Sequence, residues 1–174
     1  MITKLIDSNL IQKKILELST ILNNNFKEKL VILGVMNGSY YFMKDLIGKL
    51  DVDYRYDFVF CSSYYGTTES SGSVDFLYPR KEDIKGKNVV VLEDIVDSGE
   101  TLLSLKDNLS VYKPLSLSFC SMIVRESCIL NESLFWTGFK IKNEFVVGYG
   151  LDYDGDYRNL VDIYELKNQR ENEK

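Results

Sequence analysis

A chain of 174 residues with 45% hydrophobic content is long enough to bury one core and too short for two generous domains. Its 21 basic residues against 26 acidic ones leave a net charge of −5, which argues against nucleic acid and anionic membranes as partners. No histidine is present, so Ser-His and Cys-His nucleophile pairs, the usual zinc sites and an imidazole base are excluded, and acid–base chemistry falls to carboxylates, Lys or Tyr.

In chain order, Ile11, Ile15, Leu18 and Leu22 recur at helical spacing behind Asp7 or Ser8, which predicts an amphipathic helix from about residue 9 to 24. Leu30 to Val35 is a continuous apolar run, read as a strand buried on both faces, and Phe42, Leu46 and Leu50 mark a helix after the Gly34 to Ser39 turn. Aromatic and β-branched residues predict strands over Tyr54 to Tyr64 and around Val74 to Leu77, joined by the polar segment SSYYGTTESSG. Strand, loop and helix then recur: Val89 to Leu92 is another apolar run, and Leu102, Leu105 and Leu109 return at helical spacing. Leu115 to Val124 and Glu144 to Val147 are two further strand candidates. This alternation predicts an α/β fold with an open, mostly parallel sheet flanked by helices, and ligands at the carboxyl ends of its strands.

Cys61, Cys120 and Cys128 form no CxxC pair and read as small hydrophobes in a reducing compartment. The N-terminus lacks the apolar run of a signal peptide, and no stretch reaches the roughly 18 apolar residues that span a bilayer, so a cytoplasmic protein is expected. Gly148-Tyr149-Gly150 does not extend to GxGxxG, since Tyr153 holds the third position, and no P-loop string occurs. The final KNQRENEK reads as a solvated tail.

The densest chemistry is VVVLEDIVDSGETL, residues 89 to 102, where Glu93, Asp94, Asp97 and Glu100 follow a buried strand without an interposed base. A solvated helix N-terminus is one reading. The other uses the order of parts: the strand delivers two adjacent carboxylates toward hydroxyls or Mg²⁺, while Ser98, Gly99 and Thr101 let backbone N–H groups face a phosphate.

This stretch closely resembles the phosphoribosyl-pyrophosphate signature of the type I phosphoribosyltransferases, in particular the hypoxanthine–guanine branch of purine salvage. GVMNGSYYF (34 to 42), SSYYGTTESSG (62 to 72) and EFVVGYGLDYDGDYRNL (144 to 160) resemble that family's other three loops, in the family's order. The resemblance implies a single domain over 1–174 with a small hood formed by the N- and C-terminal segments. It further implies Mg²⁺ as cofactor, phosphoribosyl pyrophosphate and a purine base as partners, and a homodimer or homotetramer.

Carried over by position, Glu93 and Asp94 resemble the pair that engages the ribose hydroxyls, directly or through Mg²⁺, and Asp97, Ser98, Gly99, Glu100 and Thr101 resemble the 5′-phosphate loop. Asp97 also matches the aspartate proposed as general base at purine N7. Phe145 resembles the ring that stacks on the purine, Val146 the backbone that reads its edge, and Asp152 a base-pocket residue and second metal ligand. Asn37, Gly38, Ser63, Tyr64 and Arg158 resemble the pyrophosphate clamp, with Ser63 and Tyr64 on a closing lid. Two departures stand out. Asn37 replaces a residue commonly basic in the family, where this peptide can be cis, and Arg125 aligns with a lysine that reads the purine 6-oxo group. The implied activity is transfer of the phosphoribosyl group to N9 of hypoxanthine, with guanine as a further substrate. A non-catalytic phosphoribosyl-nucleotide sensor and a transferase for another base, such as xanthine, are the alternatives.

Overall fold

In a computed structural model, residues 1–27, 30–62, 75–77, 84–128 and 135–167 are described. Strand β1 (Ile2–Ile6) leads into helix α1 (Ser8–Asn25), whose N-cap is Asp7: its carboxylate accepts the Asn9 N–H at 2.8 Å and so satisfies one of the helix's free donors. Strand β2 (Leu30–Met36) and helix α2 (Tyr40–Ile47) follow. Helix α2 stops at Gly48, short of Leu50, whose N–H closes a tight turn onto the Ile47 carbonyl. Strands β3 (Tyr54–Ser62) and β4 (Asp75–Leu77) precede β5 (Asn88–Val96), helix α3 (Glu100–Ser110) and β6 (Ser116–Arg125). Strand β7 (Phe135–Ile141), β8 (Val146–Val147) and β9 (Ile163–Leu166) complete the order.

Six strands form the main sheet in the order β4-β3-β2-β5-β6-β7, parallel from β3 to β7 with β4 antiparallel at one edge. The apolar runs of β2 and β5 are its two central strands, and their side chains alternate between two cores. Leu30, Ile32, Val90 and Leu92 pack with α1 and α2, whereas Val31, Leu33, Val89 and Val91 pack with Leu102, Leu105 and Leu109 of α3. Helices on both faces are the reason these strands are hydrophobic without interruption.

The chain leaves β2 for β3 on one side and leaves β5 for β6 on the other. The strand order therefore reverses between β2 and β5, and the loops after them diverge to opposite faces, opening a crevice at their carboxyl ends.

Three elements lie outside the sequence-based expectation. Strand β7 pairs in parallel with β6 at the sheet edge. Strands β1 and β9 join β8 in a separate three-stranded antiparallel sheet of order β1-β9-β8, so the expected strand at 144–147 belongs to that small sheet instead of the main one. Asp162 fastens the two chain ends: it accepts from the Ser8 N–H at 2.7 Å, the Lys4 ammonium at 2.7 Å and the Tyr164 hydroxyl at 3.1 Å. These donors hold its carboxyl down to about 2.

Cys120 is buried, Cys61 and Cys128 are partly buried, and all are free thiols. Burial, reinforced by the charge of Glu93, pushes the Cys61 thiol up to about 12, which leaves it un-ionised and inert as a nucleophile at neutral pH. No helix among the described residues is long and apolar enough to cross a membrane.

Candidate active site

Three separate segments meet at the reversal point between β2 and β5. Gly38, in the turn after β2, lies so close to Asp94 of β5 that a Cβ on it would stand 1.8 Å from the Asp94 Oδ2. A Cβ on Gly150, in the turn after β8, would stand 2.1 Å from the Gly38 carbonyl oxygen. Gly150 also has φ of 100°, a conformation that side chains rarely adopt, so glycine is required there on two grounds. The Met36–Asn37 peptide at the entry to the first turn is cis.

Arg158 stitches the third segment together. Its Nη1 donates to the Gly150 carbonyl at 2.6 Å, and its Nη2 meets the Asp152 Oδ1 at 2.6 Å. The other Asp152 oxygen accepts the Gly155 N–H at 2.8 Å. Tyr149, buried between the two glycines, donates its hydroxyl to Asp45 of α2 at 2.8 Å and so fixes this turn against the helix that follows Gly38. Neither Gly150 nor Tyr149 stood out in the sequence as part of the site. The GYG string was the available signal, but its meaning is a close approach between loops and not a dinucleotide turn.

Glu93 and Asp94 sit at the carboxyl end of β5 with too few partners for their charge. Burial, and then the neighbouring Asp94, push the Glu93 carboxyl well above the ordinary range; among the described residues its Oε2 is buried without a hydrogen-bond partner. Burial likewise pushes Asp94 up to about 6; the Ile95 N–H and Arg158 oppose that rise while Asp152 adds to it. Two desolvated carboxylates side by side are costly unless a cation or donors from a ligand reach them.

The turn after β5 has a different character. Gly99 caps α3 with φ of 86°, and Ser98 Oγ lies 3.4 Å from the Glu100 N–H. The first turn of α3, with Glu100 and Thr101, thus presents backbone N–H groups at a helix N-terminus, the arrangement that binds phosphate. Asp97 is exposed and engages the Arg125 guanidinium, its Oδ1 lying 2.5 Å from Nε.

On the far side, Phe145 is half exposed and meets Tyr153 edge to face at 5.6 Å, a ring free to stack on a planar ligand. Val146 next to it is buried and paired with Glu165 of β9. Ser63 and Tyr64, with nearly all of the 62–72 segment, lie outside the described residues, as does all of the C-terminal tail beyond Lys167.

The donor set suits Mg²⁺. Among the described residues no group of three His, Cys, Asp or Glu side chains converges as a closed cage, and the acids that do meet offer hard carboxylate oxygens, one of them unpartnered. Mg²⁺ characteristically takes one or two carboxylates and completes its shell with waters and substrate phosphates.

Comparison with known proteins gives the same picture. The phosphoribosyl transferase domain family matches residues 2–154. A hypoxanthine-guanine phosphoribosyltransferase of Mycobacterium tuberculosis is 38% identical over 170 residues, 93% of this chain and 84% of the relative. The hypoxanthine phosphoribosyltransferase of Escherichia coli K12 is 38% identical over 154 residues, 86% of each chain. A solved hypoxanthine-guanine phosphoribosyltransferase from Bacillus anthracis, with a HEPES molecule in its active site, superposes with a TM-score of 0.86 at 38% identity, covering 95% of this chain and 98% of that one. With the family matched over residues 2–154 and relatives this similar over most of both chains, the protein belongs to the phosphoribosyl transferase domain family.

Proposed function

We propose that the protein is a purine-salvage hypoxanthine phosphoribosyltransferase that also accepts guanine, joining the 5-phosphoribosyl group of phosphoribosyl pyrophosphate to N9 of the base and releasing IMP or GMP and pyrophosphate. The observation that carries this reading is the meeting of Gly38, Asp94 and Gly150 at the strand reversal, beside an α3 N-terminus open to phosphate. The relatives' names support the choice of base.

In the reaction the bond from C1′ to the pyrophosphate oxygen breaks with its electron pair leaving on pyrophosphate, and the N9–C1′ bond forms. The proton leaving purine N7 passes to the Asp97 carboxylate, which matches the family's proposed general base by position. Glu93 and Asp94 are assigned to the ribose hydroxyls and to Mg²⁺, and the backbone of Asp97, Ser98, Gly99, Glu100 and Thr101 to the 5′-phosphate. Asn37, Gly38 and Arg158 hold the pyrophosphate, with Ser63 and Tyr64 closing over it. Phe145 stacks on the purine, the Val146 backbone reads its edge, and Arg125 is assigned to the 6-oxo group. Asp152 holds Arg158 in place and would be a further carboxylate for holding Mg²⁺. When bound, Mg²⁺ neutralises the leaving pyrophosphate oxygens. We further assign the protein to the cytoplasm as a homodimer or homotetramer.

The test is pyrophosphate release from phosphoribosyl pyrophosphate and Mg²⁺ with a panel of bases. Turnover with hypoxanthine and guanine is expected; release with xanthine alone would redirect the substrate, and silence with every base would leave a non-catalytic sensor.

A further inference from the structure

Asp97 stands on the turn after β5 with 73% of its side chain exposed, a poor place from which to hold a proton acceptor in one orientation. Arg125, at the end of β6, is only 16% exposed. Val96 and Val124 are register partners in the parallel ladder, so the residues that follow them, Asp97 on the turn and Arg125 at the end of β6, lie side by side. The guanidinium is already immobilised from behind: Nη1 donates to the Lys142 carbonyl at 3.0 Å and to the Glu144 carbonyl at 3.2 Å. That turn is itself closed by the Lys142 N–H on the Glu144 carboxylate at 2.7 Å.

We propose that Arg125 is a positioning residue for Asp97, a planar bridge between the phosphate-loop turn and the turn that carries Phe145. An exposed ion pair ordinarily contributes little, because two long side chains must be ordered to make it. Here the arginine is ordered beforehand by backbone carbonyls, so it can fix Asp97 through Oδ1 while leaving Oδ2 open to the proton of the base. A lysine has no fork to span both turns, since its single ammonium is a point donor on a flexible stem. The proposal rests on the transferase reading and adds to Arg125 a role exerted through Asp97, separate from any contact with the purine.

The experiment is a double-mutant cycle of Arg125→Lys with Asp97→Asn, read as kcat and KM for hypoxanthine. Arg125→Lys is expected to lower kcat on the order of 10- to 100-fold, as for a misplaced catalytic group, with KM for the base changed less than about threefold. In the Asp97→Asn background the same change should cost nothing further. An equal drop in both backgrounds, an effect confined to KM, or parent-like kcat in Arg125→Lys would overturn the proposal. A readout independent of turnover is the Arg125 Nε–H resonance in ¹⁵N NMR. Protection from solvent exchange that is lost in Asp97→Ala upholds the bridge, and equal exchange in both proteins refutes it. A parent inactive with every base would instead strike the transferase reading, with the resonance still deciding the bridge.

Discussion

Glu93 and Asp94 at one end of β5, and Asp162 where the chain ends meet, are acids of the same kind shielded from water and treated in opposite ways. Asp162 collects a backbone N–H, an ammonium and a phenolic hydroxyl, and its carboxyl falls to about 2. The β5 pair receives far less; Asp94 rises to about 6, and Glu93 keeps a buried oxygen with no partner among the described residues. The satisfied acid stabilises the fold. The unsatisfied pair burdens it until something positive arrives, which is the mark of a binding site.

The sharpest way to break this contrast is to separate the loops that frame the pair. Gly38→Ala forces a methyl into the Asp94 carboxylate, and Gly150→Ala drives one into the Gly38 backbone at a φ that disfavours it. Each should lower kcat/KM by roughly 100-fold or more in a pyrophosphate-release assay. Retention of parent activity by both would show that the close approach does not matter to the site.

Neutralising the burdened acid should separate function from stability. Asp94→Asn is expected to reduce kcat/KM by about 100-fold while raising the thermal midpoint of the ligand-free protein by a few degrees. Calorimetry beside the activity assay checks both halves, and a lower midpoint would refute the view that the ionised carboxylate is costly.

The pH dependence of the ligand-free protein divides the two sites by window. Asp94 and Glu93 titrate above their unfolded values, so the folded state binds more protons and stability rises as pH falls from 7 toward about 5. Asp162 titrates below its unfolded value; its contribution is present above about 4 and is lost as pH falls through about 2. A midpoint measured across pH should peak between about 4 and 5, and Asp94→Asn should flatten the limb above the peak.

The smallest effect on catalysis belongs to the satisfied acid. Asp162→Asn should lower the thermal midpoint by several degrees by weakening the bonds to Lys4 and Ser8, with kcat changed less than about threefold. A large loss of kcat at unchanged stability would show that the chain ends act on the reaction directly.

Legibility in the sequence followed the locality of the cause. The helix over residues 8–25 and the buried strands β2 and β5 were readable because spacing and unbroken apolar runs are local signals. Strand β7 was missed because Phe135 to Ile141 mixes apolar residues with Thr137, Gly138 and Lys140 at a sheet edge. Strands β1 and β9 were missed because they are short and pair with each other across the length of the chain. The acids of β5 and the motif loops could be named from the resemblance, but their distances could not.

By itself, then, the sequence determined which residues carry charge, where the long helices and the buried central strands run, and that no histidine takes part in the chemistry. The tertiary structure decided the rest: that Gly38, Asp94 and Gly150 touch, that Arg125 holds Asp97, and that Asp162 is satisfied while Glu93 is not. Strand order brings together residues more than a hundred positions apart, and desolvation depends on what packs around a group, so neither contact nor charge cost is written in local spacing.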